Sequence, residues 1–145
     1  MNVRSPLLLL AFLVLATLAA QAQAESPPRV PGCEHGTTTV EIAECRSKQI
    51  DAANSKLKAY LAEARIQAKT FELDASVIDA EQSAWEAYRT RHCGNVYELW
   101  RDGTIRYEMS AICMLEVTRA RTIDVWRAYL TYADSTPPVL PDPSQ

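Results

Sequence analysis

Residues 78–130 read IDAEQSAWEAYRTRHCGNVYELW, then RDGT at 101–104, then IRYEMSAICMLEVTRARTIDVWRAYL. In the first segment Ile78, Glu81/Gln82, Trp85, Tyr88, His92, Val96 and Leu99 recur at helical spacing, which predicts one shared face. In the last, Ile105, Met109, Ile112, Leu115, Arg119, Ile123, Trp126 and Leu130 do the same. Arg101-Asp102-Gly103-Thr104 between them carries turn chemistry, so the two segments are predicted to form an antiparallel helical hairpin. Gly94-Asn95 predicts an early end or kink in the first arm, since Gly costs ~1 kcal/mol inside a helix.

Working outward, Thr38-x-x-Glu41 is a capping-box pattern, in which a hydroxyl and a carboxylate satisfy the free N–H groups of a helix start. Ile50, Ala53, Leu57, Tyr60/Leu61, Ala64 and Ala68 then form one apolar stripe. Thr70 to Asp74 reads as a connection, with Asp74 as N-cap of the next helix. No glycine lies between Thr37 and Cys93 and no proline between Gly32 and Thr136, which excludes a sandwich or barrel of short strands. The expected fold is all-α, an elongated antiparallel three-helix bundle with Trp85, Tyr88 and Trp126 as core anchors.

The flanks read differently. Arg4, the apolar run from Leu7 to Ala20 and Ala22-Gln23-Ala24 make residues 1–24 a signal peptide, cleaved near Ala24. That run is shorter than the roughly 20 apolar residues of a stable membrane span. Residues 25–36 form an extended leader, 37–132 the helical domain, and 133–145, with four prolines, a tail expected to be disordered. Loss of Arg4 with the signal leaves 14 Lys+Arg against 18 Asp+Glu, a mature charge of about −4. That balance argues against a nucleic-acid partner. The expected location is the periplasm or the secreted fraction.

Four cysteines in a small exported domain favour two disulfides, and three pairings are possible. Cys93 and Cys113 stand at similar distances on either side of the turn, hence at similar height on neighbouring helices, so they are expected to pair. Cys33–Cys45 follows. Cys33, His35, His92 and Cys93 lack metal-ligand spacing, and no metal or cofactor is expected. No catalytic serine, zincin or phosphate-loop motif occurs, and bridged cysteines supply no thiolate, so the chain is not expected to be an enzyme.

The string Gln82-x-x-Trp85-x-x-Tyr88-Arg89-x-x-x-Cys93, followed by Cys113 and Thr118-x-x-Arg121, resembles the lysozyme-inhibitor LprI-like N-terminal domain family. Cys45, Asp51, Asn54, Leu57 and Tyr60 match its upstream segment loosely, with Asn54 preceding Leu57 instead of following it. The resemblance spans Cys33 to Leu130. It implies a helical, disulfide-bonded envelope protein whose activity is inhibition of lysozyme, with lysozyme as protein partner. The name-giving member is a lipoprotein. Here Glu25, Arg29 and three prolines separate the apolar run from Cys33, which is expected to be unlipidated.

Two candidate sites follow. Gln82, Trp85, Tyr88, Arg89, Thr118 and Arg121 read as a structural motif, with Arg89 or Arg121 meeting Asp51, Glu81 or Glu116. Alternatively Arg89 and Gln82 contact a ligand in an inter-helical groove. The second site is the turn itself. A lysozyme cleft works through two carboxylates, so an inhibitor needs a rigid projecting group that donates hydrogen bonds. Trp100, Arg101, Asp102 and Thr104 are the candidate binding residues, stiffened by a Cys93–Cys113 bridge behind them. An envelope structural or stress-related module with another ligand is the rival reading, in which the turn only joins two helices.

Overall fold

The Thr38 hydroxyl accepts the Glu41 N–H at 3.2 Å, and the Glu41 carboxylate accepts the Thr38 N–H at 3.0 Å. This reciprocal box, expected from the sequence, opens α1 (Thr39–Thr70). In the computed structural model, which describes Gly32, Cys33 and residues 36–145, α2 (Ser76–Leu99) and α3 (Arg106–Tyr129) follow. The signal peptide with its cleavage site, and most of the leader, lie outside the described residues. At ~1.5 Å per residue α1 is about 48 Å long.

α1 ends in a Schellman motif. The Leu73 N–H bonds the Ala68 carbonyl at 2.9 Å, and the Glu72 N–H bonds that of Lys69 at 3.1 Å. The motif needs a left-handed residue, and Glu72 fills that place at φ 56°. The Asp74 carboxylate accepts the Ser76 N–H at 2.9 Å, but the N-cap falls one residue later than expected, at Ala75, whose backbone is already helical and which makes no side-chain cap bond. α2 runs without interruption through Gly94 to Leu99. The early end expected at Gly94-Asn95 does not occur, because neighbouring helical bonds and the Cys93 bridge outweigh one glycine.

α2 is antiparallel to both of its neighbours, and α3 lies parallel to α1. Arg46 pairs with Glu108, Ala53 packs with Leu115, and Gln67 bonds Tyr132, so contacts climb together along α1 and α3. Most packing is α1 on α3 and α2 on α3, while α1 and α2 barely touch. The main core gathers Leu57, Leu61, Ala64, Ala68, Ile78, Val125 and Leu130, with Trp85 and Trp126 packed against it. Full burial of each large aliphatic contributes about 1.5–3 kcal/mol.

The apolar stripes differ from expectation on two helices. Tyr88, read as a core anchor, is 54% exposed and stacks on His92 at 5.3 Å, and Leu99 is exposed too. The buried line of α2 is Ile78, Gln82 and Cys93, with Trp85 and Arg89 half-buried between them. On α3, Ile105 and Arg119 face solvent, while Thr118 and Thr122 are buried. Both hydroxyls turn back on the helix, to the Met114 carbonyl at 2.7 Å and the Thr118 carbonyl at 3.0 Å. Both hydroxyls are thereby satisfied although the residues are buried, and that of Thr118 also accepts Arg89 Nη1 at 3.0 Å.

The tail is not disordered. The Val139 N–H bonds the Leu130 carbonyl at 2.9 Å, the Trp126 indole N–H bonds the Leu140 carbonyl at 2.8 Å, and Leu140 packs on the main core. Proline content alone signals a chain without helix or ladder. It does not register that an irregular chain can be held by side-chain donors.

Candidate functional site

Both disulfides of the sequence expectation are present. Cys33–Cys45 has Cα atoms 5.8 Å apart and Cys93–Cys113 has them 5.6 Å apart. The first ties Cys33 to α1; the second joins α2 to α3 just below their turn. Beside the first, the buried Arg46 bonds the Glu108 carboxylate through Nε at 3.1 Å and Nη2 at 2.5 Å, and Nη1 donates to Gln49 at 2.7 Å. Sequence reasoning missed this α1–α3 brace, because an Arg outside any motif gives no sign of being buried.

The motif residues other than Tyr88 meet in one polar network among the three helices. Arg121, only 6% exposed, donates to Glu81 Oε1 at 2.7 Å and to Gln82 Oε1 at 3.2 Å. Tyr129 donates to Glu81 Oε2 at 2.5 Å. Those two donors, Tyr129 first, hold the Glu81 carboxyl below its ordinary value, and the same bond raises the Tyr129 phenol. Arg89 Nη1 donates to Asn54 of α1 and Thr118 of α3, and its guanidinium lies 4.7 Å above the Trp85 ring. Of the pairings foreseen, Arg121–Glu81 forms; Arg89 takes neutral partners instead. The alternative groove also exists, a cleft of about 400 Å³ between α1 and α2 lined by Asn54, Leu57, Arg65, Trp85, Glu86 and Arg89.

The α2–α3 turn projects beyond this network. Trp100 is 39% exposed, and Arg101, Asp102 and Thr104 are exposed beside it. Leu99 at 78%, Ile105 at 46% and Tyr107 at 63% extend the patch, although the sequence stripes place Leu99 and Ile105 in the core. The Gly103 N–H closes the turn on the Trp100 carbonyl at 3.0 Å. Arg106 braces it: Nη1 donates to the Arg101 carbonyl at 3.1 Å, while the guanidinium lies 5.0 Å from the Tyr97 ring and 5.1 Å from the Tyr107 ring. Tyr97 and Tyr107 pack edge to face at 5.3 Å. Hydrogen bonding from Tyr97, then from Arg106, lowers the Tyr107 phenol below its ordinary range. Symmetric placement of Tyr97 and Tyr107 around the turn was the available signal for this clamp.

The opposite end of the molecule, the α1–α2 connection, exposes Ile66, Phe71, Leu73 and Val77. Among the described residues no three or more His, Cys, Asp or Glu side chains are placed to hold a metal ion, and no helix is long and apolar enough to cross a membrane.

None of the curated proteins and none of the solved structures compared with the chain matches it. The family model described as lysozyme inhibitor LprI matches residues 33–124, from the first bridged cysteine through the Arg121 network. With more than half of its length matched, this two-disulfide helical chain belongs to the lysozyme inhibitor LprI family.

Proposed function

We propose that the chain acts outside the cytoplasm, after removal of residues 1–24, as a protein that blocks a lysozyme by direct contact through its α2–α3 turn. Membership of the inhibitor family and the two disulfides support the target class and the compartment. One observation carries the choice of surface: Leu99, Trp100, Ile105 and Tyr107 stand exposed around Arg101, directly above a bridge that ties their two helices.

The chemistry fits such a role. An aromatic and an arginine on a pre-stiffened turn lose little conformational freedom on docking. Arg101 supplies donors for a carboxylate in the lysozyme cleft, and Trp100 supplies apolar area. A mature charge of about −4 speeds encounter with a basic enzyme without choosing the contact. The role proposed is binding, not catalysis.

The two exposed ends of the molecule make the test. In a lysozyme turbidity assay, Trp100→Ala/Arg101→Ala is expected to weaken inhibition at least tenfold, and Phe71→Ala/Leu73→Ala to leave it within twofold. Full inhibition by the first pair, or loss with the second, overturns the assignment to the turn.

A further inference from the structure

The C-terminal tail is held in a manner that its sequence class explains. Lys56 Nζ donates to the Pro143 carbonyl at 2.7 Å, Tyr60 OH to the Pro141 carbonyl at 2.7 Å, and Trp126 Nε1 to the Leu140 carbonyl at 2.8 Å. Three donors from two helices thus capture three main-chain carbonyls within four residues. Leu140 of that stretch also packs its side chain on the core. Pro141 and Pro143 have no N–H to leave unsatisfied against the helices. The held segment is irregular, bending at Val139-Leu140 and closing a turn in which the Gln145 N–H bonds the Asp142 carbonyl at 3.3 Å, and its two prolines limit the freedom it loses on docking.

Nothing in these contacts requires the segment to belong to the same chain. Residues 133–138, between α3 and the docked part, are exposed and carry Pro137-Pro138. They are tied only by a local turn, in which the Asp134 carboxylate accepts the Thr136 N–H at 2.9 Å. We propose that the Lys56–Tyr60–Trp126 face is a docking site for a proline-rich segment, and that the tail of a second copy of this chain occupies it by exchange. The seated tail supplies the argument for that occupant: it is a segment whose carbonyls match the three donors. At low concentration the tethered tail wins, since a short tether corresponds to an effective concentration of about millimolar. Exchange grows as copies crowd together.

Complementation between two full-length variants removes that competition. Tyr60→Phe/Trp126→Phe keeps a working tail but loses two donors of the face. Leu140→Asp keeps the face but spoils the tail. Each alone is expected to sediment as a monomer at 100 µM, and an equimolar mixture to form a 1:1 complex. A mixture that stays monomeric, while circular dichroism shows both variants helical, overturns the proposal. As a second measurement, the synthetic peptide TPPVLPDPSQ is titrated into Leu140→Asp. Binding at least fivefold tighter than that of the same peptide with alanine at both positions of its last two prolines supports recognition of a proline-rich segment. Equal binding of the two peptides, or none of either, contradicts it.

Discussion

Arg89 Nη1 donates to Asn54 Oδ1 at 2.9 Å, a polar link between α2 and α1, two helices that touch little apart from this bond and the Arg65–Asp79 ion pair at 2.7 Å. The same nitrogen reaches Thr118 of α3 at 3.0 Å, so one guanidinium joins all three helices. Arg89→Ala is expected to lower unfolding free energy by about 2 kcal/mol, the range for hydrogen bonds to a charged group. Asn54→Ala is expected to lose about half as much, because Thr118 remains. Urea denaturation checks both, and a neutral Arg89→Ala would mean that the link is incidental.

Glu81 gives the fold an acid limit. Its carboxyl is held below the ordinary value, by Tyr129 and then Arg121, so its contribution to stability is complete above the ordinary carboxylate range. It is lost as pH falls through the lowered folded value. Denaturation midpoints measured from neutral pH down to about pH 2 are expected to fall in that window, and less steeply in Glu81→Gln. Identical acid limbs in the two proteins would remove Glu81 as the source.

Two helix positions are open to improvement. A Cβ at Gly94 meets nothing within 4 Å, so Gly94→Ala is expected to raise stability by about 0.5–1 kcal/mol. Glu72 occupies the left-handed site of the Schellman motif, and Glu72→Gly is expected to gain up to about 1 kcal/mol there. Thermal melting detects either change. A loss at Gly94→Ala would mean that α2 needs its glycine for a reason other than conformation.

The Cys93–Cys113 bridge closes a loop of sequence separation 20. Cys93→Ala/Cys113→Ala is expected to lower unfolding free energy by about 3 kcal/mol, through the added freedom of the unfolded chain. Far-UV circular dichroism before and after separates loss of stability from loss of helix. A shift below 1 kcal/mol would show that the turn is held by Arg106 and its two tyrosines without the bridge.

The helices, the turn and both disulfides were legible because period, capping chemistry and spacing around Gly103 are local signals. Arg121–Glu81 was legible because a motif Arg at a helix interface needs a carboxylate. Tyr88 was misread: an aromatic inside a motif looks like core, and only the position of α3 decides which side of α2 faces solvent. Thr122 was missed in the opposite sense, since a back-bonded hydroxyl is satisfied within its own helix and no hydropathy pattern shows it, whereas Thr118 stood in the motif and its hydroxyl receives Arg89. Arg46, the docked tail and the exposure of Leu99, Ile105 and Tyr107 depend on contacts far apart in sequence. Local pattern does not reach them.

Inhibition itself is the central claim, and titration of the purified mature protein into chicken-, goose- and invertebrate-type lysozymes in a turbidity assay tests it most directly. The account predicts stoichiometric loss of lysis at micromolar protein for at least one class, with protection retained when catalytic-cleft ligands are absent. Undiminished lysis of all three by folded, fully disulfide-bonded protein would contradict it.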